Sequence, residues 1–270
     1  MGIITISRGS YSKGKEVAEN VAARLGYMCL SREIILDASD RYHIPEIKLV
    51  KAIHDAPSIL ERIGHNKRAF TSYYQSALTE RAREDNLVYH GLAGHLLLKG
   101  VPHVLKVRII ADIEDRVVNE MKQEGTSRQE AMNLITRDDQ ERRKWTKNLY
   151  GVDPWDSSLY DLVIHIHKFT VTDAVGLICS AVGLEQFRTT RESQQKIEDL
   201  ALASRIKASF IEDHMDVTVF SEYGNVLIYT KADERYFYKM EEKARILSKE
   251  IIGIHNIEIH HSTTVPEGTV

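Results

Sequence analysis

The stretch ITISRGSYSKGKEVAENVAARLGY, residues 4–27, decides the fold because it reads as a strand, a polar loop and a helix in immediate succession. Its first residues, with Ile3 before them, form a β-branched apolar run typical of a buried parallel strand. Gly26 supplies the left-handed conformation that ends many helices. Between loop and glycine, apolar residues recur at the spacing of one helix face, namely Val17, Ala18, Val21, Ala22 and Leu25.

The polar loop between this strand and this helix fits the phosphate-binding pattern GxxxxGK. Backbone N–H groups that lead into a helix N-terminus form a cradle for an anion, and the closing lysine reaches the outer phosphates. Glu16 departs from the pattern, because it stands where a Ser or Thr hydroxyl would meet Mg²⁺. The alternative is an ordinary strand-to-helix turn with a solvated lysine, and we favour phosphate binding. The candidate cofactor-binding residues are Gly9, Ser10, Tyr11, Ser12, Lys13, Gly14, Lys15 and Glu16.

The composition is that of an ordinary globular chain of 270 residues, with 43% hydrophobic residues, 28% charged residues and a formal net charge of -3. No basic field indicates binding to a nucleic-acid polymer. Cys29 and Cys179 lie far apart in apolar segments, which favours buried thiols over a disulfide or a zinc site. The sequence contains neither a leader pattern nor a run of about 18 apolar residues, so we expect a cytoplasmic protein.

Short apolar runs at 87–89, 104–111 and 162–166 alternate with helical segments. Strands that alternate with helices predict a mostly parallel sheet covered by helices on both faces, so the predicted fold class is α/β. The charged stretch 128–149 has a helical pattern, and Gly151 and Pro154 close it.

After about residue 187 the pattern changes to a small α+β unit. The polar segment FRTTRESQQ, residues 187–195, is either an exposed connector or the start of a helix. Beyond it the predicted order is helix, strand, strand, helix and strand. We therefore divide the chain into a larger part at 1–187, an αββαβ unit at 194–262 and a loose tail at 263–270.

Residues 4–27 and the segment SREII at 31–35 resemble the start of cytidylate-kinase-like proteins, which belong to the P-loop nucleoside monophosphate kinases. The resemblance continues in NLVYHGLAGHLLLKGVPHVLKVRIIADIEDRV (86–117) and RDDQERRKWTKNLYGVDPWDSSLYDLVIHI (137–166), and it covers about residues 1–182. It implies a P-loop kinase fold that uses ATP and Mg²⁺ and binds a nucleotide acceptor. Family loops are richer in glycine than this one, which has Tyr11 and Lys13, and they carry Arg or Lys where Lys15 stands.

The resemblance also implies roles for individual side chains. The implied catalytic residues, which would hold donor phosphates or neutralise the transferring group, are Lys15, Arg137, Arg142 and Arg143. Acceptor binding is implied for Arg32, His90, Gly91 and Asp139. The family's Gly-Arg pair is matched here by His90 and Gly91, so its arginine is missing. The resemblance makes the charged helix at 128–149 the lid of the site. The alternative for this helix is a solvated face, on which Asp138 and Asp139 pair with Arg142 and Arg143.

The chain has twelve histidines, and His165 and His167 point the same way on a predicted strand. They lie at the carboxyl end of that strand, where they could face an active cleft. No carboxylate or cysteine accompanies them in the sequence, so we favour a satisfied polar sheet edge and predict no metal site.

In the C-terminal unit, the αββαβ order, the turn at Gly224 and the closing GIHNIEIH (253–260) resemble a BON domain. Such domains are associated with membranes or bind phospholipid and other ligands, which implies a membrane lipid or a small ligand as partner. The alternative is an appendage for dimerisation, which implies a homodimer, or an appendage for regulation.

Three functions stay open at this point. The first is an enzyme that transfers phosphate from ATP to a nucleoside monophosphate, with cytidylate as the acceptor implied by the resemblance. The second is a catalytically degenerate kinase fold that senses a nucleotide and signals to the C-terminal unit. The third is a structural protein without nucleotide affinity. Tyr11, Lys13, Glu16 and the missing acceptor arginine are the features that favour the second.

Overall fold

The larger part of the chain is built on a five-stranded parallel sheet with the strand order β2-β3-β1-β4-β5. The computed structural model describes residues 2–46, 48, 64–213, 215–262, 264–266 and 268–270, without the side chains of 64–68 and 234. The strands are β1 (Ile3–Arg8), β2 (Met28–Leu30), β3 (Leu87–Tyr89), β4 (Val104–Ala111) and β5 (Leu162–Ile166). The predicted α/β class with a parallel sheet is confirmed.

The sequence does not predict β2, a three-residue edge strand that pairs with β3. Met28 is exposed and Cys29 is half-buried, so the segment lacks the apolar run by which the other strands are recognised. Cys179 is half-buried as well, whereas the sequence predicts buried thiols at both positions.

Helices cover both faces of the large sheet, as predicted. In chain order the described helices are α1 (Gly14–Leu25), α2 (Glu33–Tyr42), α3 (Gly64–Ala82), α4 (Gly94–Leu97), α5 (Ile113–Glu124), α6 (Arg128–Tyr150), α7 (Val171–Val182), α8 (Arg191–Glu212) and α9 (Phe237–Glu250). Short 3₁₀ turns lie at Ser157–Leu159, Glu185–Phe187 and Glu234–Tyr236. Among the described residues, no helix combines the length and the apolar character needed to cross a bilayer.

Two cores flank the sheet. Helices α1 and α7 pack on one face around Ile4 and Ile6 of β1. Helices α2, α3 and α4 pack on the other face around Ile3, where Tyr73 and Tyr74 of α3 are buried. The central strand β1 is therefore covered on both sides, which explains its continuous β-branched run.

Helices α5 and α6 form a hairpin beside the sheet, and we call α6 the lid helix. The predicted charged helix is confirmed, since α6 begins after a capping box of Ser127 and Glu130 and ends at Gly151, whose φ is 69°. The two helices share a small apolar cluster of Val117, Ala131 and Ile135.

The C-terminal unit has the predicted αββαβ order. It contains α8, β6 (Val217–Glu222), β7 (Asn225–Thr230), α9 and β8 (Asn256–His261). Strand β7 lies in the middle, antiparallel to β6 and parallel to β8. Gly224 makes the β6–β7 turn with a φ of 75°, and a Cβ there would lie 2.3 Å from the carbonyl oxygen of Gly253. Glycine is therefore required at this position.

Helix α8 belongs to two cores at once. Ile197 and Ile211 join the core of the larger part, whereas Ile206 and Phe210 join the core of the small unit. The helix begins in the segment FRTTRESQQ, with Thr190 as its N-cap, so that segment is the start of a helix and not an exposed connector. The division at 187 and 194 stays a prediction, because the helix that follows it packs on both sides.

The sequence predicts a loose tail, but the end of the tail is held in place by the small sheet. The backbone N–H and carbonyl groups of Val270 exchange hydrogen bonds of 3.0 and 3.2 Å with Val219 of β6. The Val270 side chain also packs against the core of the small unit. Residues 263 and 267 of the predicted tail lie outside the described residues.

Candidate functional site

A cavity of about 740 Å³ opens at the carboxyl edge of the parallel sheet. Residues at or just after the ends of the strands line it, including 7–9 at the end of β1, 90–91 after β3 and 110–111 of β4. The lid helix α6 forms the opposite wall through residues between 137 and 146. Open α/β sheets bind ligands at this edge, and the volume suits one small molecule.

The loop between β1 and α1 holds two residues in left-handed conformations. Tyr11 has a φ of 57° and Lys13 a φ of 61°. Loops of the family that this sequence resembles are richer in glycine, and Tyr11 and Lys13 stand at positions that are often glycine or small there. A non-glycine residue in this conformation costs about 1–2 kcal/mol. At Gly14 a side chain is excluded, since a Cβ would lie 2.6 Å from the Cβ of Arg8. The loop therefore holds two non-glycine residues in left-handed conformations at the cost of local backbone strain.

The lid hairpin holds the loop from outside. Arg116 of α5 donates from Nε to the carbonyl oxygen of Ser10 at 2.7 Å, and its Nη atoms donate to both carboxylate oxygens of Asp139 at 2.7 and 2.9 Å. Asn119 donates to the carbonyl oxygen of Tyr11 at 3.1 Å. Helix α1 begins without a side-chain cap, so the N–H groups of its first turn stay available to a ligand.

The cavity carries an excess of positive charge. Its lining includes three carboxylates, Asp138, Asp139 and Glu141, and seven arginines, Arg8, Arg32, Arg108, Arg116, Arg137, Arg142 and Arg143. Within the described part of the chain, Arg8, Arg108 and Arg142 have no carboxylate within salt-bridge distance.

Arg8 shows the electrostatic result most directly. Its guanidinium is largely buried, and burial followed by the nearby charge of Arg142 lowers its pKa from the ordinary value. Two unpaired guanidinium groups facing one cavity destabilise each other unless an anion lies between them. The arrangement is therefore suited to a ligand with several negative charges.

The comparison with protein families adds an independent observation. Residues 3–168 match the family described as the cytidylate kinase-like family, and this range is more than half of the 270-residue chain. The chain belongs to the cytidylate kinase-like family. The resemblance inferred from the loop, the strand ends and the lid helix is thereby confirmed for the larger part of the chain.

Individual relatives agree with this assignment. The chain is 33% identical over 103 residues to a cytidylate kinase of Pyrococcus horikoshii, and 37% identical over 103 residues to one of Thermococcus kodakarensis. Each match covers 38% of this chain, and 53% and 52% of the two relatives, so it spans about half of their length. A crystal structure of an uncharacterized protein from Eubacterium ventriosum shares the fold, with a TM-score of 0.54, 21% identity and coverage of 67% of this chain and 97% of that one.

Only some of the loop residues predicted to bind the cofactor, 9–16, line the cavity. Gly9 and Ser12 line it, whereas Lys15 does not. The Lys15 ammonium lies 3.7 Å from Glu19 on the exposed side of α1. Tyr11 packs against the apolar cluster of the lid hairpin. Lys13 and Glu16 are exposed, Gly14 is buried, and the Ser10 hydroxyl is buried with no partner among the described residues.

The loop lacks the side chain that usually binds Mg²⁺ in proteins with this pattern. That ligand is a hydroxyl directly after the loop lysine. Glu16 occupies the position and is exposed on α1. Ser12 is a loop residue with a hydroxyl that lines the cavity, but this hydroxyl already donates to the carbonyl oxygen of Gly9 at 2.8 Å. No step of the chemistry is therefore assigned to a metal held by this loop.

The three lid-helix arginines predicted to be catalytic, Arg137, Arg142 and Arg143, line the cavity. Asp139 binds Arg116, not an arginine on its own helix. Arg143 binds Asp153 at 2.5 Å and stacks on Trp155 at 4.2 Å. Hydrogen bonds from Arg143 hold the pKa of Asp153 well below its usual range. The pairing of Asp138 and Asp139 with Arg142 and Arg143, which was the alternative for this helix, does not form among the described residues. Asp139 and Arg143 have partners outside α6, and Asp138 lies 3.7 Å from Arg137 on the same helix.

Arg142 and Arg137 are the lid arginines with the weakest internal ties. Arg142 donates from Nη1 to the carbonyl oxygen of Arg8 at 3.3 Å, which links the lid helix to the end of β1. Arg137 is largely exposed and lies 3.7 Å from Asp138 and 4.0 Å from Glu141. Both guanidinium groups are therefore able to turn to a ligand in the cavity.

The residues predicted to bind the acceptor also line the cavity. Arg32 is exposed and binds Glu46 at 2.5 Å. His90 is buried, and burial followed by the charge of Arg8 lowers its pKa, which keeps the imidazole neutral. A Cβ at position 91 would lie 2.1 Å from the hydroxyl oxygen of Tyr89, so Gly91 cannot be an arginine in this packing.

Sequence reasoning missed Arg8, Arg108 and Arg116, which supply much of the charge of the site. Arg8 ends β1 directly before the loop, and Arg116 lies in the stretch ADIEDRV that forms part of the family resemblance. A basic residue at the carboxyl end of a predicted central strand was the available signal for Arg8. Arg116 gave no comparable signal, because its partners lie 106 and 23 residues away.

The prediction that His165 and His167 have no carboxylate company is wrong. His165 lies 3.1 Å from Asp112, and His167 lies 3.4 Å from Asp112 and 3.3 Å from Asp115. Parallel pairing of β4 with β5 brings these residues together across more than 50 positions of sequence. None of the four lines the large cavity.

Proposed function

We propose that the protein binds ATP in the cavity at the carboxyl edge of its sheet and transfers a phosphoryl group to a nucleoside monophosphate. Cytidylate is the first candidate acceptor, on the strength of the family. The observation that carries the proposal is the set of three arginines, Arg8, Arg108 and Arg142, that face one cavity and have no carboxylate partner in the part of the chain that the structure describes. Phosphoryl transfer needs positioning and charge neutralisation more than covalent chemistry, and guanidinium groups provide both.

Each part of the site has a place in this proposal. The loop N–H groups and Arg8 hold donor phosphates, while Arg142 and Arg137 neutralise charge on the transferring group. Arg32 and His90 lie on the acceptor side, next to the ends of β2 and β3. Arg116 and Asp139 join the loop to the lid helix and so position the groups that touch the ligand. Mg²⁺ accompanies ATP in kinases generally, and here its ligands would come chiefly from the phosphates.

A second candidate is a nucleotide sensor without turnover. The observation that favours it is Lys15, which lies outside the cavity in a contact with Glu19. The absence of an arginine at positions 90 and 91 also supports it. In this case nucleotide binding would be passed to the C-terminal unit through α8, which packs on both cores.

A coupled assay with ATP, Mg²⁺ and a panel of monophosphates, together with thermal unfolding, separates these functions. Turnover with a monophosphate supports the enzyme. A nucleotide-dependent rise in Tm without turnover supports the sensor, since a ligand at 100 times its Kd stabilises by about 2.7 kcal/mol. No turnover and no shift with any nucleotide overturns both and leaves a structural role.

The Arg142→Gln variant tests the cavity itself. We expect nucleotide affinity to fall at least about tenfold, because a charge-assisted hydrogen bond to phosphate contributes about 1.5–3 kcal/mol. Arg188→Gln is the matched control, since Arg188 is exposed and does not line the cavity. Lys15→Ala tests the role predicted for that lysine, and an unchanged thermal shift refutes it.

We also propose that the C-terminal unit binds a lipid or small ligand, as its BON-like order implies. Support comes from large side chains on its surface, with Ile252 99% exposed and Tyr238 75% exposed. Co-sedimentation of the full chain with anionic vesicles tests this, with Ile252→Ser as the variant expected to bind less. Light scattering of the same samples tests the alternative, a homodimer, which Ile252→Ser would weaken instead.

A further inference from the structure

Four metal-ligating side chains meet at the carboxyl edge of the sheet outside the large cavity. Asp112 follows the last residue of β4, Asp115 lies in the first turn of α5, and His165 and His167 lie in and just after β5. The register pairs Ile110 with His165, which sets the two strand ends side by side. Asp112, Asp115 and His167 each offer a ligand atom within 4.8 Å of the others, and His165 reaches the same Asp112 carboxylate.

Three contacts among these side chains have spacings near those of a metal shell, and they use both oxygens of Asp112, with Oδ1 toward His165 and Oδ2 toward His167. A tetrahedral ion with bonds of about 2.0–2.2 Å separates its ligand atoms by about 3.3–3.6 Å. The observed N···O separations are 3.1, 3.3 and 3.4 Å. Hydrogen bonds between nitrogen and oxygen cluster near 2.9–3.0 Å, so two of the three contacts are long for that interaction.

The orientation of Asp112 is a second, independent observation. Asp112 occupies the N-cap of α5, where an aspartate normally accepts hydrogen bonds from the helix N–H groups. Its carboxylate makes no such bond. It is turned instead toward His165 and His167, whose rings stack with centroids 5.9 Å apart. A favourable capping interaction is thus given up for a position between two imidazoles.

We propose that Asp112, Asp115, His165 and His167 bind one divalent transition-metal ion of the Zn²⁺ class. Two imidazole nitrogens and two carboxylate oxygens suit zinc and its neighbours, whereas Mg²⁺ and Ca²⁺ prefer oxygen ligands alone. All four side chains are about half exposed, so an ion has access from solvent. The site is separate from the nucleotide cavity and does not depend on the proposed function.

Such an ion would join the end of β5 to the start of α5. Helix α5 carries Arg116, the residue that holds both the loop and Asp139 of the lid helix. The ion would therefore fix the base of the lid hairpin on the sheet. Its binding stabilises the fold by mass action, which gives a readout that does not require activity.

The test is calorimetric titration of the metal-free full chain with Zn²⁺, followed by thermal unfolding with and without the ion. We expect one equivalent to bind and Tm to rise. His167→Gln and Asp112→Asn should each weaken the affinity at least about tenfold. Substitution at these exposed positions leaves the cores untouched, and circular dichroism of the variants checks that they fold.

His260→Gln is the matched control, because His260 lies 3.3 Å from a single carboxylate, that of Glu258, in the C-terminal unit. It should bind Zn²⁺ as the natural chain does, and Co²⁺ in place of Zn²⁺ should give the intense visible absorption of a four-coordinate ion. Excess Mg²⁺ should not displace either metal. Failure to saturate at one equivalent, or equal affinity in His167→Gln, overturns the proposal and leaves four side chains joined by ion pairs.

Discussion

The ion pair of Arg116 and Asp139 is the point at which we expect the lid hairpin to be most sensitive to substitution. Side-chain exposure is 10% for Arg116 and 19% for Asp139, and two parallel hydrogen bonds join them. Removing one partner of a buried pair costs about 3–5 kcal/mol, because the other charge stays buried without compensation. In Asp139→Asn, Arg116 keeps its bond to Ser10 and faces the cavity, so we expect a loss of about 2–3 kcal/mol.

Urea denaturation followed by far-ultraviolet circular dichroism measures this free energy of unfolding. Asp138→Asn is the control, since it makes the same chemical change one residue earlier on the same helix. Asp138 lies 3.7 Å from Arg137, whose side chain is 65% exposed. Solvent-exposed pairs of this kind contribute about 0–1 kcal/mol, so the control should unfold almost as the natural chain does.

A double variant completes the test. Arg116→Leu with Asp139→Leu removes both charges together, so neither is buried alone and part of the loss in Asp139→Asn should be recovered. The recovery is incomplete because the carbonyl oxygen of Ser10 loses its donor. A difference of less than about 0.5 kcal/mol between Asp139→Asn and Asp138→Asn would refute the reasoning. It would mean that the Arg116 guanidinium is hydrated through the cavity and gains little from the carboxylate.

Three further substitutions test other parts of the molecule. Lys13→Gly should raise the free energy of unfolding by up to about 1 kcal/mol, since a φ of 61° favours glycine and the side chain is exposed; urea unfolding that shows a loss contradicts this. Gly91→Ala should lower the same quantity by about 1–3 kcal/mol through its 2.1 Å approach to Tyr89, whereas Gly176→Ala, with open space around it, should not. Burial, then Arg108, lowers the pKa of His95 from 6.5 to about 4, so the unfolded chain takes up the proton first. The stability that the neutral imidazole contributes is therefore complete above about pH 6.5 and is lost as the pH falls toward 4. In His95→Gln the free energy of unfolding should depend less on pH across that window, which urea unfolding at several pH values measures.

The elements that the sequence predicts correctly are those encoded by neighbouring residues. The β-branched run of β1, the helical spacing of α1 and the glycine at position 26 act within a few residues of one another, and all three appear where expected. Strand β2 is not predicted because its three residues show no alternation of apolar and polar side chains. Its hydrogen bonds are made with β3, about 59 residues away in the sequence. Helix α8 is predicted as a helix, but periodicity cannot tell that its apolar residues serve two different cores.

The candidate site shows the same limit more sharply. The lid arginines and the loop are predicted from local pattern and resemblance, and all three predicted lid arginines line the cavity, whereas only Gly9 and Ser12 of the loop do. The partners of these side chains are not predicted from the sequence. The rule for pairs three or four residues apart assumes that the partner of a charged side chain lies on the same helix. Asp139 instead binds Arg116, and His167 meets Asp112 and Asp115, through contacts that parallel strand pairing and helix packing create.

The strained loop and the lid hairpin are best understood as one mechanical unit. A loop with few glycines holds two left-handed residues, and it does so because Arg116 and Asn119 fix its carbonyl groups while the Tyr11 ring packs in the lid cluster. An anion that occupies the loop therefore also biases the position of α5 and α6.

From the lid helix the packing continues, since Trp145 of α6 and Ile197 of α8 belong to the same core. A contiguous path thus runs from the loop to the helix shared with the C-terminal unit. Coupling along it requires in addition that the lid has two arrangements whose balance a nucleotide shifts. Hydrogen exchange of α8 with and without nucleotide measures this balance, and a change there in a protein without turnover would decide for the sensor.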